Sequence, residues 1–235
     1  MLVVILTETP MTDALICMLA ALDPSTRERV GAFVADVQTR AAANGVAIVL
    51  GGEAKLPYIL APDMLVSGYF VDRPRVELAV AMGKPLAEWL SILVHESCHM
   101  DQFIEKSPAW AEAFCEGRET LDWVNDWTDG KDDLPLPIAE LLRRSGAVEL
   151  DCEKRTLARM VEFDLPIDRA RYARGANAYV FFYEYLLQTR KWYPGARPPY
   201  EVAGIVAAAS PTLGSGLTPA LIAAYQKYYP EIHRT

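Results

Sequence analysis

Five consecutive residues, His95-Glu96-Ser97-Cys98-His99, have the types and the spacing that metal-assisted hydrolysis requires. On a helix, residues four apart lie one above the other on one face, so two imidazoles placed this way can grip a single ion. Glu96 sits beside the first of them, where a carboxylate can polarise a zinc-bound water. The chain has 3 histidines and the motif uses two of them. The remaining one, His233, lies two residues from the C-terminus and reads as a surface residue. A bare HExxH also arises by chance, as two polar residues on an amphipathic helix, so its meaning rests on its surroundings.

A catalytic zinc takes three protein ligands and leaves its fourth position to water. Residues 149–153, Glu-Leu-Asp-Cys-Glu, offer the third on a later helical segment. Glu149 and Glu153 share a face with Thr156 and Met160, while Asp151 points away from it. If Glu149 binds the metal, Glu153 lies one turn on and can accept a hydrogen bond from a liganding imidazole. If Glu153 were the ligand, Leu157 would fall in that supporting place, so Glu149 is the expected ligand. Taken alone, two glutamates at this spacing beside Lys154 and Arg155 more often mark a solvated helix face. Cys98 and Cys152 adjoin these positions; they read first as small buried thiols filling space beneath the site, with a mixed Cys/His site as the alternative.

HExxH followed by a helix bearing Glu-x-x-small-acidic resembles the gluzincins, zinc metallopeptidases whose third ligand is glutamate. The matching residues are His95, Glu96 and His99, then Glu149, Cys152 at the small position and Glu153 at the acidic one. The likeness covers about residues 23–163. More loosely, the chain is similar to uncharacterised metallopeptidase-like proteins of bacteria and phages. The resemblance implies a zinc cofactor (Zn2+) bound by His95, His99 and Glu149, with Glu153 supporting a ligand. It implies hydrolysis of a peptide or amide bond, Glu96 taking a proton from the zinc-bound water and passing it to the leaving amine. It also implies that residues 75–81 form an edge strand that pairs with extended substrate. Two features depart from the family: the supporting acid is Glu where Asp is usual, and the stretch between His99 and Glu149 holds an acidic, tryptophan-bearing segment. An oxyanion needs a donor besides the metal, and Tyr172, Tyr179, Tyr183, Tyr185, Arg171 and Arg174 are all candidates. The same motif would suit a zinc-binding regulatory or interaction protein that does little hydrolysis, and a metal-free helical protein is the plainest alternative.

The elements that must carry these residues are legible in outline. Asp23-Pro24 caps a helix that Asn44-Gly45 ends. Residues 46–50, 67–71 and 76–80 read as strands, the last two parted by a turn at Asp72-Arg73-Pro74. The motif helix runs over residues 85–106, with Leu86, Leu90, Leu93, Met100 and Ile104 facing the core. Residues 119–137, acidic and ending in alternating prolines, read as a loop or lid. No frame there places carboxylates as an EF-hand would, so calcium is not expected. Helices follow over residues 138–163 and 168–192, then a closing helix capped by Thr218-Pro219. The expected fold is α+β: one mostly helical, zincin-like domain of 235 residues, with a core over about residues 23–163 and a C-terminal helical extension.

Composition sets the outer limits. With 51% apolar and 23% charged residues the chain can build a substantial core. A net charge of -8 argues against nonspecific binding to nucleic acid or anionic membrane, and weakly against a strongly acidic substrate. The partner expected is a peptide or protein substrate. Residues 1–6 are apolar, but no basic residue precedes them and Glu8, Pro10 and Asp13 follow, so neither a signal peptide nor a membrane span is expected. The 4 cysteines are too few for a disulfide scaffold and are expected reduced, in the cytoplasm.

Overall fold

A computed structural model describes residues 13–194 and 197–233. The apolar run at residues 1–6 and the side chain of His233 fall outside what it describes. The architecture is α+β and mostly helical, as expected. Packing divides the chain into two compact units. The first comprises the chain through Glu105 together with residues 155–167, the second residues 106–154 and 168–235.

The first unit opens with helices α1 (Asp13–Ala20) and α2 (Pro24–Ala43). The Asp23 carboxylate accepts from the Thr26 amide at 3.0 Å, satisfying a donor the helix itself cannot, and Pro24 occupies the first turn. Five strands follow: β1 (Ala47–Gly51), β2 (Leu56–Tyr58), β3 (Ala61–Val66), β4 (Gly68–Val71) and β5 (Glu77–Ala81). β2 and β3 form a separate hairpin, while the main sheet has the order β1-β5-β4, with β5 parallel to β1 and antiparallel to β4. The strand expected at the edge is therefore the central one. Every residue of β5 is buried, as befits a strand flanked and covered on both sides, and β4 supplies the edge.

Helix α3 (Leu86–Glu105) carries the motif and packs on β4 and β5. Leu90, Leu93 and Met100 are buried as its periodicity requires, and Trp89, Val94 and Cys98 join them. Leu86 and Ile104 are only half-buried. The C-terminal half of α3 is pinned electrostatically. Asp101, 7% exposed, pairs with Arg40 of α2 and with Arg159, which lies 3.4 Å away on α6 (Ile138–Glu162). Asp36 joins the network through Arg40 at 2.9 Å, and Glu105 pairs with Arg155 at 2.7 Å. A carboxylate this deeply placed persists because two guanidiniums share it.

The second unit is helical and aromatic. It holds α4 (Pro108–Glu112), a short hairpin of β6 (Phe114–Cys115) and β7 (Arg118–Glu119), α5 (Thr120–Thr128), the first two-thirds of α6, α7 (Arg169–Val180), α8 (Phe182–Thr189), α9 (Ala203–Ala208) and α10 (Pro219–Tyr228). Its core gathers Phe182, Tyr185, Leu186, Ile205, Tyr225 and Tyr229, all 1% exposed or less. The acidic segment expected as a loop or lid is in large part helix α5, whose Val124 and Trp127 are core residues. Its acidic residues occupy the outer face of an amphipathic helix. The long helix expected over residues 168–192 is two helices, broken at Phe181 and ended by Arg190 in left-handed geometry. α10 begins as expected, Thr218 Oγ1 accepting from the Leu221 amide at 3.2 Å.

Candidate metal centre

His95 and His99 stand one turn apart on α3, both half-buried, their rings edge-to-face with centroids 4.7 Å apart. Their Nε2 atoms are 3.2 Å from each other. Two nitrogens bound tetrahedrally to one zinc at Zn–N distances of about 2.05 Å would be about 3.3 Å apart, so the pair already has the separation of two ligands on one ion. The Gln102 side-chain oxygen lies 2.8 Å from His99 Nδ1. An amide oxygen only accepts, which puts the proton on Nδ1 and leaves the Nε2 lone pair for a metal. Gln102 is fully buried, so this orientation is held by packing as well as by the hydrogen bond.

Glu96 lies between the histidines in sequence and is half-buried. Its surroundings depend on Gly68 at the start of β4. A Cβ at Gly68 would meet Ile92 Cγ2 at 2.4 Å, the Ala79 carbonyl oxygen at 3.0 Å and Glu96 Cγ at 3.4 Å. Only a glycine lets the edge strand approach this turn of the motif helix so closely.

On α6, Glu149 is half-buried, Cys152 fully buried and Glu153 5% exposed. Thr156 and Met160, expected on the same face, are both fully buried, which fits an inward-facing stripe rather than a solvated one.

The six candidates for an oxyanion donor differ in burial and partners. Arg174 donates to the carbonyls of Ala207 and Ala209, so it braces the turn after α9. Tyr185 is 1% exposed within the aromatic core, and its burial raises its pKa. Tyr179 and Tyr183 hydroxyls lie 3.3 Å apart. Burial above all, then Tyr183 and Glu149, holds Tyr179 protonated. Arg171 is exposed and Tyr172 half-buried.

Two contributors escape a reading of the sequence. Gln102 is three residues past His99, a spacing that places it beside the ring, and that was the available signal. Gly68 had none, because its role comes from a helix that follows it in the chain. Comparison with known protein families, curated proteins and solved structures finds no match for this chain. No helix among the described residues is long and apolar enough to cross a membrane.

Proposed function

We propose that this protein is a zinc-dependent metallopeptidase of the gluzincin type, cleaving a peptide or amide bond. The observation that carries the reading is the His95–His99 pair of an HExxH motif, with Nε2 atoms 3.2 Å apart and the His99 tautomer set by Gln102. Glu149 is the proposed third ligand and Glu153 the supporting acid. Cys152, a fully buried thiol on the same helix, is the competing third donor. The two lie three residues apart on one face of α6, about 4.5 Å along the axis, a distance a glutamate can cover by changing rotamers.

When bound, zinc supplies Lewis acidity and lowers the pKa of a coordinated water to about 7. Glu96 would be the group that takes a proton from such a water and hands it to the departing amine. β4 ends the sheet beside Glu96, and an extended peptide laid along it would be held by main-chain hydrogen bonds with its carbonyl near the motif.

Glu96→Gln removes the base and keeps the metal ligands. With a quenched-fluorescence peptide library as substrate, the variant is expected to retain zinc and lose hydrolysis by at least about a hundredfold. Undiminished cleavage by Glu96→Gln would refute the mechanism. Zinc binding without hydrolysis in the wild type would favour a regulatory or interaction role instead.

A further inference from the structure

We propose that the cleft lined by Leu121, Asn125, Tyr179, Trp192 and Tyr193 is a binding site for a trimethylammonium group. This cleft lies wholly within the second unit and does not depend on the zinc reading. Its volume is about 300 Å³, enough for a small headgroup. Three of its five lining residues are aromatic. The Trp192 and Tyr193 rings stand nearly perpendicular, at 82° with centroids 5.8 Å apart, and so form two walls of a box. Phe182 stacks along Trp192 at 17°, backing the indole. The Trp192 indole N–H donates to Asn125 Oδ1 at 3.0 Å, which fixes the ring and uses the amide oxygen.

Charge and hydrogen bonding select the ligand. Aromatic faces attract cations through their quadrupole. The Glu201 carboxylate is among the groups acting on the Tyr193 hydroxyl, so negative charge lies near this side of the cleft. Burial is the first cause of the raised pKa of the Tyr179 and Tyr193 phenols, so they stay neutral and do not themselves balance a cation. Two arginines of this unit are engaged elsewhere. Arg190 is held by Asp132 and by the Trp127 carbonyl, and Arg118 lies over Trp123 and pairs with Asp126. A primary ammonium seeks three acceptors, and the Asn125 amide oxygen of this cleft already accepts from Trp192. A trimethylammonium needs none, because its methyl groups present the positive charge directly to the rings.

The test is calorimetric titration of the full chain with tetramethylammonium chloride, choline and the neutral alcohol in which tert-butyl replaces trimethylammonium, at matched ionic strength. Tetramethylammonium and choline should bind saturably, with choline at least about tenfold tighter than the neutral alcohol. Trp192→Leu should abolish that preference, whereas Trp192→Phe should keep part of it. Comparing choline with an Nε-trimethyllysine amide separates a free small molecule from a modified protein as the source of the group. Equal affinity for the neutral alcohol, or no saturable binding of either cation by the wild type, would overturn the proposal, and neither result depends on a variant folding.

Discussion

Gly68→Ala tests how the edge strand and the motif helix fit together. Gly68 is not among the glycines with positive φ, so its backbone accepts an L-residue. In open space the substitution would stabilise the protein by about 0.4–1 kcal/mol, through loss of unfolded-chain entropy. The space is not open. The new methyl would sit 2.4 Å from Ile92 Cγ2 and 3.0 Å from the Ala79 carbonyl oxygen, against an ordinary carbon–carbon contact of about 3.5–4.0 Å. Ile92 is a half-buried side chain and can turn aside, but Ala79 is backbone of the central strand and cannot. Overpacking of this kind costs about 1–3 kcal/mol, and at about 2–4 °C per kcal/mol Tm should fall by about 2–12 °C. The strain falls on the turn carrying Glu96, so hydrolysis should drop further than zinc affinity does. Ile92→Ala removes one of the two clashing groups, and the double variant should recover part of the loss, with a coupling of about 1 kcal/mol in thermal melts. A Gly68→Ala protein melting at or above the wild-type temperature, or strictly additive substitutions, would refute this account of the packing.

Two further predictions concern other parts of the molecule. Gln102→Leu removes the acceptor facing His99 Nδ1 at similar volume; zinc affinity, measured by competition with a chelating dye, should fall about 10–100-fold, and an unchanged affinity would remove Gln102 from the site. Arg143 and Arg144 hydrogen bonds hold the half-buried Glu140 carboxylate down at about 2, against an ordinary 4.5. Its contribution is thus complete above about pH 4.5 and disappears as pH falls toward 2. Melts of the wild type and Glu140→Gln should accordingly converge across that interval; a difference that does not change with pH would contradict the assignment.

The sequence revealed what is local and missed what is relational. The caps of α2 and α10 were legible because a capping side chain and its amide lie three residues apart. The histidine pair was legible for the same reason, since one helical turn fixes its geometry. Strand order was not legible, and the edge position expected for residues 75–81 came from the family resemblance alone. Glu77 of that strand is 1% exposed in the central strand, accepting from the Tyr69 hydroxyl at 2.6 Å and pairing with Arg75 at 2.5 Å. In α5 the three aspartates and asparagines outweighed a helical period of Leu121, Val124 and Thr128 that was present in the sequence. The break at Phe181 lacks a glycine or proline to announce it, and comes instead from packing within the aromatic core. Among the site residues, the third donor depends on which atoms of α6 face the histidines, and residue spacing alone does not separate Glu149 from Cys152.

Metal content settles the central claim most directly. Untagged protein purified without chelator, together with His95→Ala, Glu149→Ala and Cys152→Ser, should be assayed by mass spectrometry and reloaded with zinc. The account predicts about one zinc per chain in the wild type, none in His95→Ala, weakened retention in Glu149→Ala and near-normal retention in Cys152→Ser. Loss in Cys152→Ser with full retention in Glu149→Ala would make the thiol the third ligand. A wild-type protein that takes up no zinc even when it is supplied would contradict the metal centre, and with it the enzyme.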